Sequence, residues 1–248
     1  MYDFLSQDIA MWFPNQADKV KITLIEALPQ VLPSFSKKLV EYTEQSFKES
    51  KIEILANTQV KQVQEKGVLA FDKVSNKEIF IPYGILIWAT GNTARPLVRN
   101  LMDLAPETQN NKRGLLVDEN LKLLGFDDIY AFGDCTFTKS PPTAQVAYQQ
   151  GKYLAKLFNE IGTADLNGRD PKFNKFVYRH LGGLAYIGGE KAIGDFTFSF
   201  GNYALDGIVA NIVWNSVYLT TLFSFRNQVL VTFDWMKHRL FGRDISRE

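Results

Sequence analysis

Asp134 and its neighbours have the types and order that would let one carboxylate and one helix end act on the same ligand. In IYAFGDCTFTKSPPTAQVAYQQG, residues 129–151, the apolar run Ile129, Tyr130, Ala131 and Phe132 reads as a buried strand. Gly133 and Asp134 form a tight exit, and Pro141 and Pro142 precede a helix start at Thr143 or Ala144. A carboxylate accepts hydrogen bonds from the hydroxyls of a sugar alcohol. The N–H groups of Ala144, Gln145 and Val146, in a first helical turn, would meet negative charge. The same residues would also build an ordinary strand-loop-helix unit in which Asp134 caps a turn.

A second carboxylate stands at Glu26, near the end of VKITLIEAL (residues 20–28), which reads as a fully apolar buried strand. An acidic residue ending the second strand of a dinucleotide-binding βαβ unit accepts a hydrogen bond from the ribose 2′-hydroxyl. It repels a 2′-phosphate and so favours NADH over NADPH. Out of context, Glu26 is equally a strand-end carboxylate facing water. The Gly-rich fingerprint expected about twenty residues earlier is absent, and residues 1–25 leave no room for it and its strand.

Composition narrows the chemistry. The 248 residues are 46% apolar with a net charge of +1, which describes a globular chain without a bulk electrostatic case for nucleic acid. The single cysteine, Cys135, excludes a disulfide framework, a Cys-x-x-Cys redox pair and a cysteine-rich metal site. Two histidines, His180 and His238, argue against a zinc or di-iron centre.

The elements that would position these residues follow in order. YDFLSQDIAMWF has apolar residues at helical spacing and no leader-like composition, so the chain is expected to begin inside a helix of a larger fold, ended by Pro14 and Asp18. A helix is expected from Pro33 and Ser34. Residues 51–82 alternate in the manner of an antiparallel meander, with turns at Glu65-Lys66-Gly67 and Ser75-Asn76. A second buried strand, residues 85–88, is expected to end in Ala89, Thr90 and Gly91, a small turn that lets backbone approach a flat ligand. Residues 96–114 read as loop, residues 115–117 and 129–132 as short strands, 143–161 as a helix, and the stretch after it as a linker. VYRHLGGLAYIGGEKAIGDF reads as a small Gly-punctuated sheet region.

The last quarter is strongly apolar, but Asp206, Asn211, Asn215 and Ser216 interrupt it short of the ~20 apolar residues a membrane span needs. Two helices are expected. In the second, Phe233, Trp235, Leu240 and Phe241 sit among Lys237, His238, Arg239 and Arg243, a pattern suited to a peripheral membrane anchor. A helical hairpin buried against its own domain or a second subunit would show the same pattern.

Taken together, ITLIEALPQVLPSF, LIWATGN, RGLLVDENLKLLG, IYAFGDCTF, PTAQVAYQQGKYLAKLF, LAYIG and FDWMKHRLFGRDISRE span almost the whole chain. In this order they resemble two-dinucleotide flavoproteins, and more closely the C-terminal part of fungal mitochondrial type II (alternative, non-proton-pumping) NADH:ubiquinone oxidoreductases. The resemblance implies an α/β, Rossmann-like fold with the layout of the pyridine-nucleotide-disulfide reductases and a C-terminal helical membrane-associated region. It implies that residues 1–88 are the later part of an NADH-binding domain, 89–163 the second segment of an FAD-binding domain, and 164–248 a membrane-anchoring and dimerisation region. Glu26 would hold the NADH ribose, and Ala89, Thr90 and Gly91 would lie where the two nucleotides approach each other. Gly133 and Asp134 would bind the FAD ribityl chain. Ala144 and Gln145 would lie against the isoalloxazine and border the ubiquinone site together with Tyr148, which stands where such enzymes often have histidine.

On this reading FAD carries hydride from NADH to ubiquinone, no side chain serves as nucleophile, and no metal is needed. The helix starting at Thr143 would add ~0.3–1 kcal/mol of stabilisation to negative charge on the flavin. The enzyme would be a peripheral homodimer on the mitochondrial inner membrane. The family has two Gly-rich pyrophosphate loops and neither is in this chain, so a truncated, partial or alternatively started product is expected, binding FAD poorly by itself. The alternatives are a non-catalytic membrane-associated fragment, or another quinone-linked flavoprotein such as a sulfide:quinone oxidoreductase, against which the lack of paired cysteines argues.

Overall fold

The computed structural model describes residues 1–17, 19–198, 201–222 and 224–242. The expectations placed on Asp18 and Arg243 lie outside these residues. The chain forms two compact units, one of residues 1–86 with the described part of 181–248, the other Ile87–His180.

In the first unit the opening residues are helical, as their spacing predicts: a π-helical stretch Phe4–Ile9 runs into α1 (Ala10–Trp12). The helix breaks at Phe13, and Pro14 starts a further short turn, α2 (Pro14–Ala17), rather than ending the helix. Asp3 anchors this segment. Its buried carboxylate accepts the Tyr186 hydroxyl at 2.7 Å and the Gly189 N–H at 2.6 Å. Burial and the Asp3 carboxylate together push the Tyr186 phenol up to about 12, so it stays a donor at any working pH.

β1 (Ile22–Ile25) is shorter than the residue 20–28 run predicts, and it is not fully buried. It pairs in parallel with β2 (Ile52–Leu55), Ile22 opposite Ile52, and α3 (Lys37–Glu49) makes the crossover between them. It has a neighbour on one side only; Leu24 in it is 38% exposed, and Val20 and Leu28 beyond its two ends are 47% exposed. The α3 helix begins three residues later than Pro33 and Ser34 suggest. Residues 32–35 are used in a turn closed by Phe35 N–H to Leu32 O, and extended Ser36 stands at the N-cap. That turn lets Phe35 pack with Leu39, Ile187 and Ile193, the core shared by α3 and the later sheet.

The meander forms over residues 58–82 as its alternation predicts: β3 (Thr58–Gln64), β4 (Gly67–Asp72) and β5 (Lys77–Pro82) are antiparallel, with a register shift between Val60 and Gln62, whereas residues 52–55, expected within it, pair in parallel with β1 instead. Residues 85–88, by contrast, form no strand. Ile85, Ile87 and Trp88 are 77, 62 and 55% exposed, and the run pairs with no described strand.

The second unit contains more helix than the polar composition of residues 96–114 suggests. Pro96 occupies the first turn of α4 (Pro96–Leu104), where its missing N–H costs nothing, and Val98 packs on Leu115, Leu123 and Ala131. Gln109 then ties the following loop: its buried amide donates to Leu116 O and Leu124 O and accepts the Leu116 N–H. Residues 115–117 and 129–132 run extended but pair only through isolated bridges, Leu115 with Thr136 and Lys122 with Tyr130, so they are not the strands their composition predicts. The helix α5 (Ala144–Leu166) runs five residues past its expected end, burying Leu154 and Leu157 with Leu121.

The Gly-punctuated region of the first unit is a three-stranded antiparallel sheet, β6 (Gly183–Gly188), β7 (Lys191–Phe198) and β8 (Gly201–Asp206). It begins later than the run from Val177 suggests. The two expected terminal helices are α6 (Gly207–Thr221) and α7 (Phe225–Phe241), joined to the sheet by a run of aromatic contacts from Tyr186 through Trp214 and Tyr218 to Trp235. No helix among the described residues is long and apolar enough to cross a membrane.

The chain after α5 returns along it through Glu160, whose Oε1 accepts Arg169 Nη1 at 2.7 Å and the Lys172 N–H at 2.9 Å. Arg169 and that N–H hold the carboxyl down at about 2. A carboxyl depressed on folding stabilises the fold above the ordinary glutamate range, ~4.3, and loses that contribution as pH falls toward 2. NMR titration of the Glu160 carboxyl should therefore give a midpoint near 2, moved up toward ~4.3 by Arg169→Gln. An ordinary midpoint in the unaltered chain would contradict the pairing.

Candidate functional site

The expected strand leading to Asp134 is an extended segment held from two sides. Leu115 N–H donates to Cys135 O and Phe137 N–H to Leu115 O; further back, Ala131 N–H donates to Leu121 O. This fixes residues 129–137 without a continuous ladder, and it leaves Phe132 46% exposed rather than buried. At Gly133 the backbone takes φ +75°, a conformation side-chain-bearing residues rarely adopt, and one 3-10 turn, Gly133–Cys135, follows.

That turn is clamped to α5. Gln150, 1% exposed, accepts the Gly133 N–H on Oε1 at 2.7 Å, and a Cβ at position 133 would lie 3.3 Å from that of Ala147. Thr136 closes the turn from the other end, its N–H and hydroxyl both directed at Gly133 O. Asp134 is thereby held beside the first two turns of α5 with its side chain exposed, and its carboxylate makes no hydrogen bond or ion pair among the described residues. The neighbouring Cys135 thiol donates to Phe132 O at 3.2 Å. Burial, with a smaller contribution from the Asp134 charge, pushes its pKa up, so it remains a thiol and is unsuited to nucleophilic work at neutral pH.

The start of α5 is built by Thr143, which is extended and caps the helix, its Oγ1 accepting the Val146 N–H at 3.4 Å. Val146 therefore leaves the expected set of open N–H groups. Ala144 is exposed at the helix start. Gln145 is engaged from a direction the sequence does not reveal: Tyr178 donates its hydroxyl to Gln145 Oε1 at 2.6 Å, and the Tyr178 hydroxyl oxygen lies 3.0 Å from His180 Nδ1. Burial raises the Tyr178 pKa. One turn on, Gln149 pairs with the Arg179 backbone in both directions, Nε2 to Arg179 O and Arg179 N–H to Oε1. Residues 178–180 thus form a strap across the first two turns of α5. Tyr148, four residues past Ala144, is 52% exposed, with the Lys152 ammonium 4.4 Å from its ring centroid.

Gly133, Asp134, Ala144, Gln145 and Tyr148 thus share one neighbourhood. Ala89, Thr90 and Gly91 belong to the same compact unit, in an exposed irregular stretch with Gly91 at φ +75°. No described hydrogen bond ties them to Asp134 or α5. Glu26 belongs to the other unit, directly after β1. Its Oε1 accepts the Leu28 N–H at 2.9 Å, which fixes the carboxylate at the strand end. Gln150 and Tyr178 are the supporting residues sequence reasoning missed. A polar residue within an otherwise apolar helical stripe is the signal that could have found Gln150.

The arrangement offers an exposed carboxylate acceptor on a rigid glycine turn beside a capped helix N-terminus, which suits a ligand bearing both hydroxyls and negative charge. The pyridine nucleotide-disulphide oxidoreductase family model matches residues 5–151, and the NDH2 C-terminal domain model matches residues 180–244. The mitochondrial external alternative NADH-ubiquinone oxidoreductase of Yarrowia lipolytica is 43% identical, the match covering 100% of this chain and 50% of that protein. External NADH-ubiquinone oxidoreductase 2 of Saccharomyces cerevisiae mitochondria is 39% identical, over 99% of this chain and 49% of its own. The fold is that of Plasmodium falciparum NDH2, solved in complex with NADH, at TM-score 0.88 and 22% identity over 99% of this chain and 63% of that one. The sulfide:quinone oxidoreductase of Aquifex aeolicus is more distant in fold, at TM-score 0.65 and 17% identity over 97% of this chain and 58% of that one. The chain spans about half the length of the curated relatives it matches. It belongs to the pyridine nucleotide-disulphide oxidoreductase family, and over its whole length it is similar to the fungal mitochondrial type II NADH:ubiquinone oxidoreductases.

Proposed function

We propose that this chain supplies the C-terminal half of an FAD-dependent NADH:ubiquinone oxidoreductase of the non-proton-pumping type, acting peripherally at the mitochondrial inner membrane. The observation that carries this reading is Asp134, an exposed carboxylate held on a left-handed glycine turn against the N-terminal turns of α5. In that reading residues 1–88 belong to the NADH-binding domain, 89–163 to the FAD-binding domain, and 164–248 to a membrane and dimer region.

The residues present fit part of a flavin nucleotide. Asp134 would accept from the ribityl hydroxyls, and Gly133 keeps the backbone free of a side chain that would crowd Ala147. Ala144 and Gln145 would border the ring, where the dipole of α5 would favour negative charge. Glu26 accepts from the 2′-hydroxyl of the NADH ribose and excludes a 2′-phosphate. When bound, the flavin supplies the two-electron chemistry between NADH and quinone. The protein's part is to hold and orient: Tyr178 and the Gln149 strap fix the first turns of α5, the face on which Gln145 and Tyr148 would meet the quinone. The pyrophosphate-binding Gly-rich loops are not in these residues.

The exposed apolar side chains of α6 and α7, among them Ile208, Ile212, Phe225, Phe233, Leu240 and Phe241, suit a lipid surface or a second subunit. They are also what a purely membrane-associated, non-catalytic fragment would need. Joining the chain to a homologous N-terminal half separates the two readings through two variants. Asp134→Ala should weaken FAD binding about tenfold or more, the loss of one charge-assisted hydrogen bond of ~1.5–3 kcal/mol; unchanged affinity removes Asp134 from the flavin site. Glu26→Gln should reduce the preference for NADH over NADPH by about tenfold, ~1.4 kcal/mol, and an unchanged ratio of kcat/KM values for the two would count against its ribose role.

A further inference from the structure

The strap across α5 carries a hydrogen-bond chain whose direction its lengths decide. Tyr178 has one hydroxyl proton and two neighbours able to take it, the Gln145 amide at 2.6 Å and His180 Nδ1 at 3.0 Å. A hydroxyl bonded to oxygen spans ~2.7–2.8 Å, and an N–H bonded to oxygen spans ~2.9–3.0 Å. The short contact is therefore oxygen to oxygen, with Tyr178 donating to Gln145 Oε1. In the long contact Tyr178 has no proton left to give, so His180 donates from Nδ1. The reverse chain would put the Gln145 amide nitrogen 2.6 Å from the hydroxyl, closer than the ~2.7 Å at which N–H donors stop. Burial of Tyr178, which raises its pKa, keeps the hydroxyl proton in place.

The surroundings hold the chain in that direction. Gln149 bonds the Arg179 backbone both ways, which fixes the residues on either side of it. The Tyr178 and His180 rings meet edge-on, their centroids 6.1 Å apart and their planes at 63°. Gln145, Tyr178 and His180 all belong to the second unit. His180 enters no ion pair with a described residue, so no described carboxylate competes for Nδ1. A proton on Nδ1 is present both in the imidazolium and in one neutral tautomer, leaving Nε2 as the atom that gains or loses charge. The direction of the chain is thus the same in both charge states. Because an amide is planar, holding Oε1 against Tyr178 turns the Gln145 Nε2 N–H groups away from it.

We propose that His180 is a positioning residue of the candidate site: through Tyr178 it commits Gln145 to act as a hydrogen-bond donor, which selects a ligand presenting a carbonyl or anionic oxygen there. A glutamine with no such partner rotates its amide to donate or accept as the ligand requires. Here reversal would leave the Tyr178 proton without its acceptor and set the amide N–H against a hydroxyl that already receives one from His180. One consequence rests on the quinone reading given above. A quinone ring oxygen only accepts, whereas a quinol oxygen carries a proton that must itself be donated. The locked amide therefore favours quinone over quinol, substrate over product.

The lock is a property of the chain itself, so its first test needs no flavin. Long-range proton–nitrogen correlation NMR reads which imidazole nitrogen carries the proton, and His238→Gln separates the His180 signals from those of the only other histidine. His180 should keep its proton on Nδ1 at about pH 5 and at about pH 8, and Tyr178→Phe should turn the neutral ring over to the Nε2–H tautomer. A neutral His180 protonated at Nε2 in the unaltered chain would overturn the proposal, as would a tautomer that Tyr178→Phe leaves unchanged. The second test joins the chain to a homologous N-terminal half and measures inhibition by quinol against KM for quinone. His180→Leu removes the donor, whereas His180→Asn keeps an N–H near the position of Nδ1. The leucine variant should shift the balance toward quinol by roughly two- to tenfold, the contribution of one hydrogen bond, and the asparagine variant should restore it. Equal shifts in both variants would show that His180 only fills space and would overturn the proposal. An Nδ1–H tautomer with no shift in the leucine variant would support the lock and sink the placing of Gln145 at the quinone.

Discussion

The hydrogen bond from Gly133 N–H to the buried Gln150 amide is the interaction on which the candidate site depends. Without it the glycine turn has no fixed relation to α5, and Asp134 becomes one more exposed carboxylate. A buried side-chain amide left without its partner costs ~1–3 kcal/mol, so the helix and the turn are coupled in both directions. Around this bond the second unit repeats the same device: Gln109 gathers the loop at Leu116 and Leu124, and Gln149 fastens the Arg179 backbone. Three glutamines do in this unit what continuous strand ladders do elsewhere, because its extended segments pair only through single bridges.

The first unit is organised by burial instead. Leu39 on α3 is fully buried against Ile187 and Ile193 of the later sheet, and Asp3 draws the opening helix onto the same sheet through Tyr186 and Gly189. This core leaves β1 supported from one side.

What the sequence revealed follows from how local each signal is. The meander of residues 58–82 was legible because period-two alternation and two turn signals lie within it. The start of α5 was legible from Pro141, Pro142 and Thr143, which set the chain's entry into the helix. Residues 85–88 and 129–132 have strand composition, but a strand exists only where an edge accepts it, and that is a non-local condition. The α4 helix was hidden because its polar surroundings outweigh one apolar face over nine residues. Gln150 and Tyr178 were illegible for a different reason: a buried polar staple is defined by its partner, and Gly133 lies 17 residues from Gln150 and Gln145 lies 33 from Tyr178.

The functional residues divide along the same line. Asp134, Glu26, Ala144 and Gln145 stand at element ends, where type and position together suggest chemistry. The groups that hold them were found only in three dimensions. The most direct measurement of the central claim is amide hydrogen exchange at Gly133 in the unaltered chain and in Gln150→Leu. Gly133 should be protected in the first and should exchange at least about tenfold faster in the second, as loss of ~1.4 kcal/mol or more requires, while the amides around Leu154 and Leu157 in α5 stay protected. Equal protection of Gly133 in both proteins would show that the turn is held by something else and would contradict the account.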